Sequence, residues 1–249
     1  MNKIRCLCVA ICVFIGLGGR SPTFGQALTA DEIAAKFLEK NIKDSLYVAD
    51  NFIHEEIEIT ENIKNGIVAE REKKLYVVKR DKEGLYKKLV SRNEIPVSNS
   101  RFELKKDAVF INPGFFNKYL FILGRSEIFE GKKYWILSFE PKKNLQEEKW
   151  GDRVYNNLAG EMWVAQSSFD LAKLSFHLIK EVNYAWPSFT GGKIVKLGGT
   201  VITGLISGHL IVSHIQIEYE YSTRTLFWPK NSHEIKTIHY QNYERRNPR

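Results

Sequence analysis

The sequence has 249 residues, 43% of them hydrophobic and 12% aromatic, and its formal net charge is +8. This length suffices for one large β domain or two small ones. Lysine and glutamate are interspersed along the chain and do not form a clustered basic face, so the composition argues against a nucleic-acid-binding protein. A moderate basic charge is compatible with weak attraction to an anionic membrane surface.

Residues 1–27 have the organisation of a secretory signal peptide. A short basic start with Lys3 and Arg5 precedes an apolar run, and Gly25 and Ala27 are the small residues that precede a cleavage site. We therefore predict cleavage after about Ala27 and a periplasmic or secreted protein. The alternative is an uncleaved anchor, but the apolar run is shorter than the roughly 20 residues that a membrane span requires. All three cysteines lie in this segment, so residues 28–249 contain neither disulfides nor thiols.

The remaining chain, 28–249, begins with a short amphipathic helix. Thr29 and Glu32 have the spacing of a capping box. An apolar stripe that includes Phe37 and Leu38 continues to a predicted helix end near Asn41. The apolar face of this helix needs a partner, and the following sheet is the expected one.

From Tyr47 onward, the side chains alternate with the period of two that is typical of half-buried strands. Asn65-Gly66 predicts a tight turn, and Ile67–Arg80 predicts the returning strand of an antiparallel meander. On the first strand, Glu56 and Glu58 fall on the polar side of the alternation. We expect both carboxylates to be solvated.

The middle of the chain predicts a second amphipathic helix and two further hairpins. Phe115, Phe116, Tyr119, Leu120 and Leu123 share one helical face, although the last part of this run is also compatible with a strand. The other predicted elements are strands at about 125–130, 133–140, 160–165 and 172–179, and a short helix that is capped by Asp152 and runs to Leu158.

The segment Trp186–Val212 is rich in glycine and in apolar residues. Residues 197–217 contain no Lys, Arg, Asp or Glu, and this length would suffice for a membrane span. The glycines, the hydroxyl residues and His209 would interrupt a continuous apolar helix surface. We therefore expect a flexible apolar flap, part helix and part strand, that lies against the sheet. Strong alternation follows in 214–221, and a further strand is predicted after Phe227-Trp228.

The sequence contains no recognisable catalytic or metal-binding motif. His233 and His239 could share a face of one long strand, but an acidic partner at ligand spacing is not apparent, so we predict no metal and no cofactor. We predict that the protein is not an enzyme. The alternatives are a secreted hydrolase with Glu55, Glu56 or Glu161 as acid or base, and a structural envelope protein with a closed core.

Four segments together resemble the LolA-like superfamily of periplasmic lipoprotein carriers, LolB-type receptors and outer membrane lipoprotein-sorting relatives. They are ADEIAAKFLEKN directly after the signal peptide, YWILSFEPKK, GEMWVAQSSFDLAKLSF and FWPKNSHEI. The resemblance covers nearly all of residues 28–249. It implies a single α+β domain, an incomplete antiparallel β-barrel (half-barrel) wrapped over short helices. The chain departs from the family in its long Trp186–Val212 segment and in a first strand that has His54, Glu55 and Glu56 but no arginine.

The resemblance also implies an apolar cavity that receives acyl chains. We therefore expect a monomer that binds a lipid or an acylated protein, with transfer of that ligand as an extension of binding, transient contact with a membrane surface, and no nucleic acid. The helix from Asp31 and the helix near Phe115 would act as the lid. The candidate cavity residues are Phe37, Leu38, Phe115, Phe116, Leu120, Trp135, Trp163 and Phe176.

Overall fold

The computed structural model describes residues 28–81, 84–104, 116–147, 150–185, 191–224 and 229–246. The predicted signal peptide, residues 1–27, lies outside the described residues, and so do Phe115, Trp186, Phe227 and Trp228. Within the described ranges, two helices and thirteen strands are formed. The helices are α1 (Ala30–Asn51) and α2 (Trp150–Tyr155). The strands are β1 (Phe52–Lys64), β2 (Ile67–Arg80), β3 (Leu85–Arg92), β4 (Ile95–Pro96), β5 (Glu103–Leu104), β6 (Tyr119–Phe129), β7 (Lys132–Pro141), β8 (Leu158–Ala165), β9 (Leu171–Leu178), β10 (Val182–Ala185), β11 (Gly191–Ile206), β12 (His209–Arg224) and β13 (Pro229–Arg245).

All these strands belong to one antiparallel sheet. The order is β4-β3-β2-β1-β13-β12-β11-β9-β8-β7-β6, with β5 beside β3 and β10 beside β11. Within the described residues, the two end strands β4 and β6 are not paired with each other, so the sheet stays open. Helix α1 contacts β1 and β2 but also β6 and β12. Because these strands are far apart in the sheet order, the sheet must curve around the helix. The predicted fold class, an incomplete antiparallel β-barrel wrapped over helices, is confirmed.

The predicted capping box at the start of α1 is present. The Glu32 backbone N–H donates to Thr29 Oγ1 at 3.2 Å, and the Thr29 backbone N–H donates to Glu32 Oε2 at 2.8 Å. This reciprocal pair satisfies two of the backbone donors that a helix start leaves without an intrahelical partner. The hydrogen bonds to Thr29 lower the pKa of Glu32.

Helix α1 is longer than the sequence predicted. It passes the predicted end at Asn41 and continues to Asn51, so the strand that was predicted from Tyr47 begins at Phe52. The apolar stripe seemed to end because the next buried position on the same helix face is the polar residue Asp44. Periodicity of apolar residues cannot detect a buried polar position.

Three hairpin turns determine the register of the sheet. Asn65 and Gly66 have φ angles of 53° and 76°, and Lys64 pairs with Ile67 across them. These positive φ angles are those of the two-residue turn that the Asn-Gly pair predicts. The β6–β7 and β11–β12 hairpins have two-residue turns with the same pair of positive φ angles, at Glu130-Gly131 and Ser207-Gly208.

The glycine-rich segment is not a flap. Its described part forms β11 and the start of the hairpin partner β12, as far as Val212. Both strands lie in the interior of the sheet between β9 and β13. Among the described residues, no helix is both long enough and apolar enough to span a membrane. Residues 197–217, for which a membrane span was the alternative, lie in β11, in β12 and in the turn between them.

Glycines in β8 and β11 let aromatic rings lie across the sheet. Gly160 is paired with both Phe139 and Phe176, and Gly199 is paired with Phe176. A Cβ atom at Gly160 would lie 2.7 Å from Phe139 Cζ, and one at Gly199 would lie 2.7 Å from Phe176 Cζ. Each ring therefore covers the glycine of the next strand, which explains why this apolar sheet needs glycine.

One open alternative is decided by the structure, and one local prediction is wrong. In the run that ends at Leu123, the last part forms the strand that was the alternative to a helix. Residues 119–123 belong to strand β6, so Tyr119 is buried while Leu120 points to the opposite face and is 45% exposed. Helix α2 has Asp152 in its first turn, not as its cap, and ends at Tyr155. Leu158 is instead the first residue of β8, where it is buried in the core. In both places a short apolar run fits a helix and a strand equally well.

Candidate functional site

The face of the sheet that α1 covers is called here the concave face, and the other face is called the convex face. The N-terminal half of α1 fills part of the concave face completely. Ile33, Ala34 and Phe37 are at most 2% exposed and belong to one core cluster with inward side chains of β6 to β12. The Phe37 ring lies 5.8 Å from the Phe116 ring, centroid to centroid. This half of the helix is therefore part of the hydrophobic core.

The C-terminal half of α1 covers a space that is not filled. A cavity of about 200 Å³, called here the concave cavity, lies between this half of the helix and the sheet. Side chains of α1, β1, β2, β3, β9, β11, β12 and β13 line it, and most of them are apolar or aromatic. The main lining residues are Val48, Ala49, Phe52, Val78, Leu85, Leu171, Leu210, Val212, Tyr240 and Tyr243.

A buried carboxylate attaches the C-terminal half of α1 to the β11–β12 hairpin. Asp44 is 4% exposed, and its Oδ2 accepts hydrogen bonds from Lys40 Nζ at 2.8 Å and from the Leu210 backbone N–H at 3.0 Å. His209 Nδ1 lies 3.0 Å from Asp44 Oδ1, and the Tyr47 ring stacks on the His209 ring at 3.7 Å between centroids. These contacts are called here the helix latch.

The electrostatics of the helix latch favour the ionised carboxylate. Burial alone would raise the pKa of Asp44, but the hydrogen bonds from Lys40, from Leu210 and from His209 outweigh burial and lower that pKa. Lys40 also lies 3.1 Å from Asp170 Oδ1 in the β8–β9 turn. Burial would lower the pKa of Lys40, yet its bonds to the two carboxylates raise it. The helix latch is therefore a charged network that joins α1 to the start of β12 and to the β8–β9 turn.

The concave face becomes polar beside the cavity, on β13, β1 and β2. Glu56 and Glu58 are 1% and 9% exposed, so the prediction that they are solvated is wrong. Glu58 Oε2 lies 3.0 Å from Lys236 Nζ, and Glu56 Oε1 lies 3.7 Å from Lys87 Nζ. The predicted alternation of β1 is correct, but the side of this strand that has Glu56 and Glu58 belongs to the concave face of the sheet. Burial, followed by these two carboxylates, raises the pKa of Tyr76 to about 12.

A second and larger space lies at one end of the half-barrel. It is a groove of about 970 Å³, called here the rim groove, between the tips of the β6–β7 and β11–β12 hairpins, and the β8–β9 turn forms its floor. Its walls are mainly apolar, and lysines stand at its margin. Its lining includes Phe129, Lys132, Tyr134, Trp163, Leu171, Lys173, Thr203, Leu205 and Leu210.

The structure separates the predicted cavity residues into three places. Phe37, Phe116 and Phe176 are buried in the core cluster, and Leu38 and Trp135 pack at its margin. Leu120 lies on the convex face, and Trp163 lines the rim groove. Phe115 lies outside the described residues. None of the described members of this set lines the concave cavity, so their role in ligand binding stays a prediction.

The concave cavity uses residues that sequence reasoning did not select. Val48, Phe52 and Val78 come from a helix end and two strand ends that the sequence analysis treated as boundaries or as ordinary alternation. Tyr240 and Tyr243 were noted only as part of a strand pattern. The detectable signal was the aromatic content of the last strand, whose partner β1 begins directly after α1.

The three carboxylates of the hydrolase alternative are not brought together. Glu55 and Glu56 are consecutive on β1, so they face opposite sides of the sheet. Glu55 Oε2 accepts hydrogen bonds from Gln241 and Asn242, while Glu161 lies on the convex face of β8, five strands away in the sheet order. The pair of carboxyl groups that glycoside hydrolysis requires, about 5–9.5 Å apart, is not formed by these residues.

The convex face carries a cluster that the sequence did not reveal. Atoms of Glu218, Glu220 and His233 that can bind a metal lie within 4.8 Å of one another. His233 Nε2 lies 2.9 Å from Glu218 Oε1, so an acidic partner for this histidine exists on the neighbouring strand. Lys196 Nζ lies 2.7 Å from the same oxygen and is the first cause of the lowered pKa of Glu218. The positive charge beside Glu218 in this cluster is therefore the ammonium group of Lys196.

Comparisons with known proteins concern the fold. No protein-family profile matches the sequence, and no curated protein does. A LolA superfamily protein from Nitrosomonas europaea aligns with 90% of this chain and 96% of its own, at 14% identity and a TM-score of 0.40. A DUF1329 family protein from Desulfovibrio piger aligns with 85% of this chain and 92% of its own, at 12% identity and a TM-score of 0.39.

A third solved structure, named as an outer membrane lipoprotein-sorting protein domain from Vibrio parahaemolyticus, covers 84% of this chain and 93% of its own. Its identity to this chain is 8% and its TM-score is 0.39. At such low identities and TM-scores the similarity concerns the arrangement of the chain alone, so ligands and partners of these proteins are not transferred to it.

Proposed function

We propose that this protein binds a lipid or a lipid-modified protein non-covalently, with an acyl chain in the concave cavity. One observation carries the proposal: the C-terminal half of α1 covers an apolar space, whereas the N-terminal half of the same helix is tightly packed. Ligand sites are typically concave and mostly apolar with a few polar groups. Burial of an acyl chain there would contribute roughly 25 cal/mol per Å² of apolar surface.

The helix latch makes the C-terminal half of α1 suitable as a lid. The contacts of the helix latch to the sheet are the Leu210–Asp44 hydrogen bond, the Lys40–Asp170 ion pair and the ring of His209 stacked on Tyr47. Water can replace the polar contacts when the helix lifts. Leu46, on the outer side of this half, is 48% exposed. A cavity of about 200 Å³ is smaller than the roughly 300 Å³ of small ligand sites. The lid must therefore move before a long chain is accommodated.

The test is native mass spectrometry of residues 28–249 purified from an exporting host, together with lipid extraction of the same sample. We expect a co-purified lipid or acyl species in stoichiometric amount. Ala49→Phe, which places a ring in the concave cavity, should abolish this species, while Leu46→Phe on the exposed side of the same helix should retain it. A protein that stays free of ligand after incubation with lipids and lipopeptides would contradict the proposal and favour the closed-core alternative.

A further inference from the structure

The rim groove and the concave cavity are neighbours that share one wall. Leu171, Thr203 and Leu210 line both spaces. Leu171 and Leu210 are 1% and 5% exposed, so the wall is closed in this structure. Thr203 Oγ1 donates a hydrogen bond to the Leu171 carbonyl oxygen, which ties β11 to the start of β9.

This wall is coupled to the helix latch. The Leu210 backbone N–H donates to Asp44, and His209, the preceding residue, stacks on Tyr47 of α1. When the C-terminal half of α1 lifts, the Leu210 backbone N–H loses its hydrogen bond to Asp44, which helps to hold Leu210 in the wall. One movement would therefore open the cavity and connect it with the rim groove.

The rim groove has the chemistry of an amphiphile site. Phe129, Trp163 and Leu205 give it apolar walls. Phe129 and Leu205 are 54% and 52% exposed, and the Phe129 ring meets the Trp163 ring edge-on at 6.4 Å between centroids. Its volume of about 970 Å³ lies at the upper end of the range of small-molecule sites, roughly 300–1,000 Å³. A chain with a head group would fit this space better than a chain alone.

The charges of the rim groove favour an anionic head group. Lys132 and Lys173 are exposed, and neither forms an ion pair within the part of the chain that the structure describes. Of the two acids that line the groove, Asp170 is already matched by Lys40 at 3.1 Å. Glu130, in the exposed β6–β7 turn, forms no ion pair among the described residues, so the two unmatched lysines stand against one unmatched glutamate. The unmatched charge of the groove is therefore positive.

We propose that the rim groove is the entrance to the concave cavity, and that it selects amphiphiles with an anionic head group. The chain passes the wall of Leu171, Thr203 and Leu210, while the head group stays at Lys132 and Lys173. This inference rests on the proposed function and names its ligand class and route.

Head-group selection is tested by displacement of the fluorescent fatty acid cis-parinaric acid from residues 28–249. Lysophosphatidylglycerol and lysophosphatidylcholine with the same acyl chain are the two competitors. We expect tighter binding of the anionic lipid, by about fivefold for each lysine that contacts the head group. Lys132→Gln with Lys173→Gln should remove this preference, so that the two lipids compete equally well. Equal affinity of the wild-type protein for both lipids would overturn the head-group assignment.

The route is tested by stopped-flow measurement of cis-parinaric acid binding. Leu205→Trp narrows the rim groove, and Val195→Trp places the same ring on the same strand outside it; both positions are solvent-exposed, at 52% and 42%. We expect Leu205→Trp to slow association and dissociation by the same factor, and Val195→Trp to leave both rates at the wild-type values. Unchanged rates in Leu205→Trp would overturn the entrance alone. A wild-type protein that binds none of these probes would overturn the proposed function as well.

Discussion

At the scale of single residues, Asp44 is the group that attaches the C-terminal half of α1 to the β11–β12 hairpin. It is a buried carboxylate whose Oδ2 accepts bonds from Lys40 and Leu210, with His209 beside Oδ1. Asp44→Asn keeps the shape but removes the charge that these donors match. We expect the free energy of unfolding to fall by about 1–3 kcal/mol. Urea denaturation should measure this loss, and Asp50→Asn, in an exposed ion pair with Arg80, should cost far less.

The same carboxylate gives a pH dependence with a defined sign. Because the pKa of folded Asp44 lies below its ordinary value of 3.8, the unfolded chain binds the proton first as the pH falls. The stabilisation is complete above pH 3.8 and is lost as the pH falls through the pKa of the folded state. The stability difference between the wild-type protein and Asp44→Asn should therefore shrink in this acid range. A difference that stays constant down to the lowest pH would show that the charge of Asp44 does not matter.

A second residue-scale prediction concerns two histidines on the convex face. His214 Nδ1 lies 3.2 Å from His239 Nδ1, and Ile202 and Ile57 flank the pair on the neighbouring strands. Burial, and then the neighbouring His239, lowers the pKa of His214 from 6.5. The unfolded chain therefore takes up a proton earlier than the folded protein, and stability should decrease as the pH falls below 6.5. His214→Gln should flatten this part of the pH profile of the melting temperature; an unchanged slope would contradict the assignment.

At the scale of elements, the strands that carry the core depend on glycine at one position and tolerate a side chain at another. A Cβ atom at Gly199 would lie 2.5 Å from the Gln216 carbonyl oxygen and 2.7 Å from the Phe176 ring. Gly199→Ala should therefore destabilise the protein by about 1–3 kcal/mol or more through overpacking.

Gly204, on the same strand, provides the matched control for this prediction. A Cβ atom there meets no atom of another strand closer than 3.9 Å, and its φ angle is not in the left-handed region. Gly204→Ala should be neutral or stabilise the protein by about 0.4–1 kcal/mol, because it restricts the unfolded chain. Thermal denaturation of the two variants would compare them, and equal melting temperatures would show that Phe176 moves aside without cost.

The elements differ in how far the sequence predicts them. Hairpins with glycine turns are predicted closely: Asn65-Gly66 places both ends of its turn, and β2 has the predicted bounds. The glycines of β11 led to the wrong prediction of a flexible flap. In sequence, a glycine that is covered by an aromatic ring of the next strand cannot be told from a glycine of a flexible segment. An apolar cavity was expected from the resemblance, but the residues that line it were not predicted. They depend on the pairing of β13 with β1, and local periodicity contains no information about such long-range pairing.

At the scale of the whole molecule, α1 has two functions that its sequence divides at about Asp44. Its first half completes the core of β6 to β12, and its second half covers the space on β1, β2 and β13. The sheet stays open between β4 and β6 within the described residues, so movement of the second half does not require strands to separate. The dense packing around the first half of α1 resists movement of that half. The second half is held over a cavity by polar contacts, and local opening costs less there.

This division predicts that binding requires only the C-terminal half of α1 to move. Residues 28–249 contain no cysteine, so Tyr47→Cys with His209→Cys introduces one pair at the stacked rings of the helix latch. With this pair bridged, by oxidation or by a short bis-maleimide, the protein should remain folded but take up cis-parinaric acid slowly or not at all. Reduction of the disulfide should restore uptake. Lys196→Cys with Glu220→Cys, directly opposite on β11 and β12, is a control bridge that leaves α1 free. Unimpaired uptake by the bridged latch would mean that the chain enters without displacement of the helix, and the lid hypothesis would then be wrong.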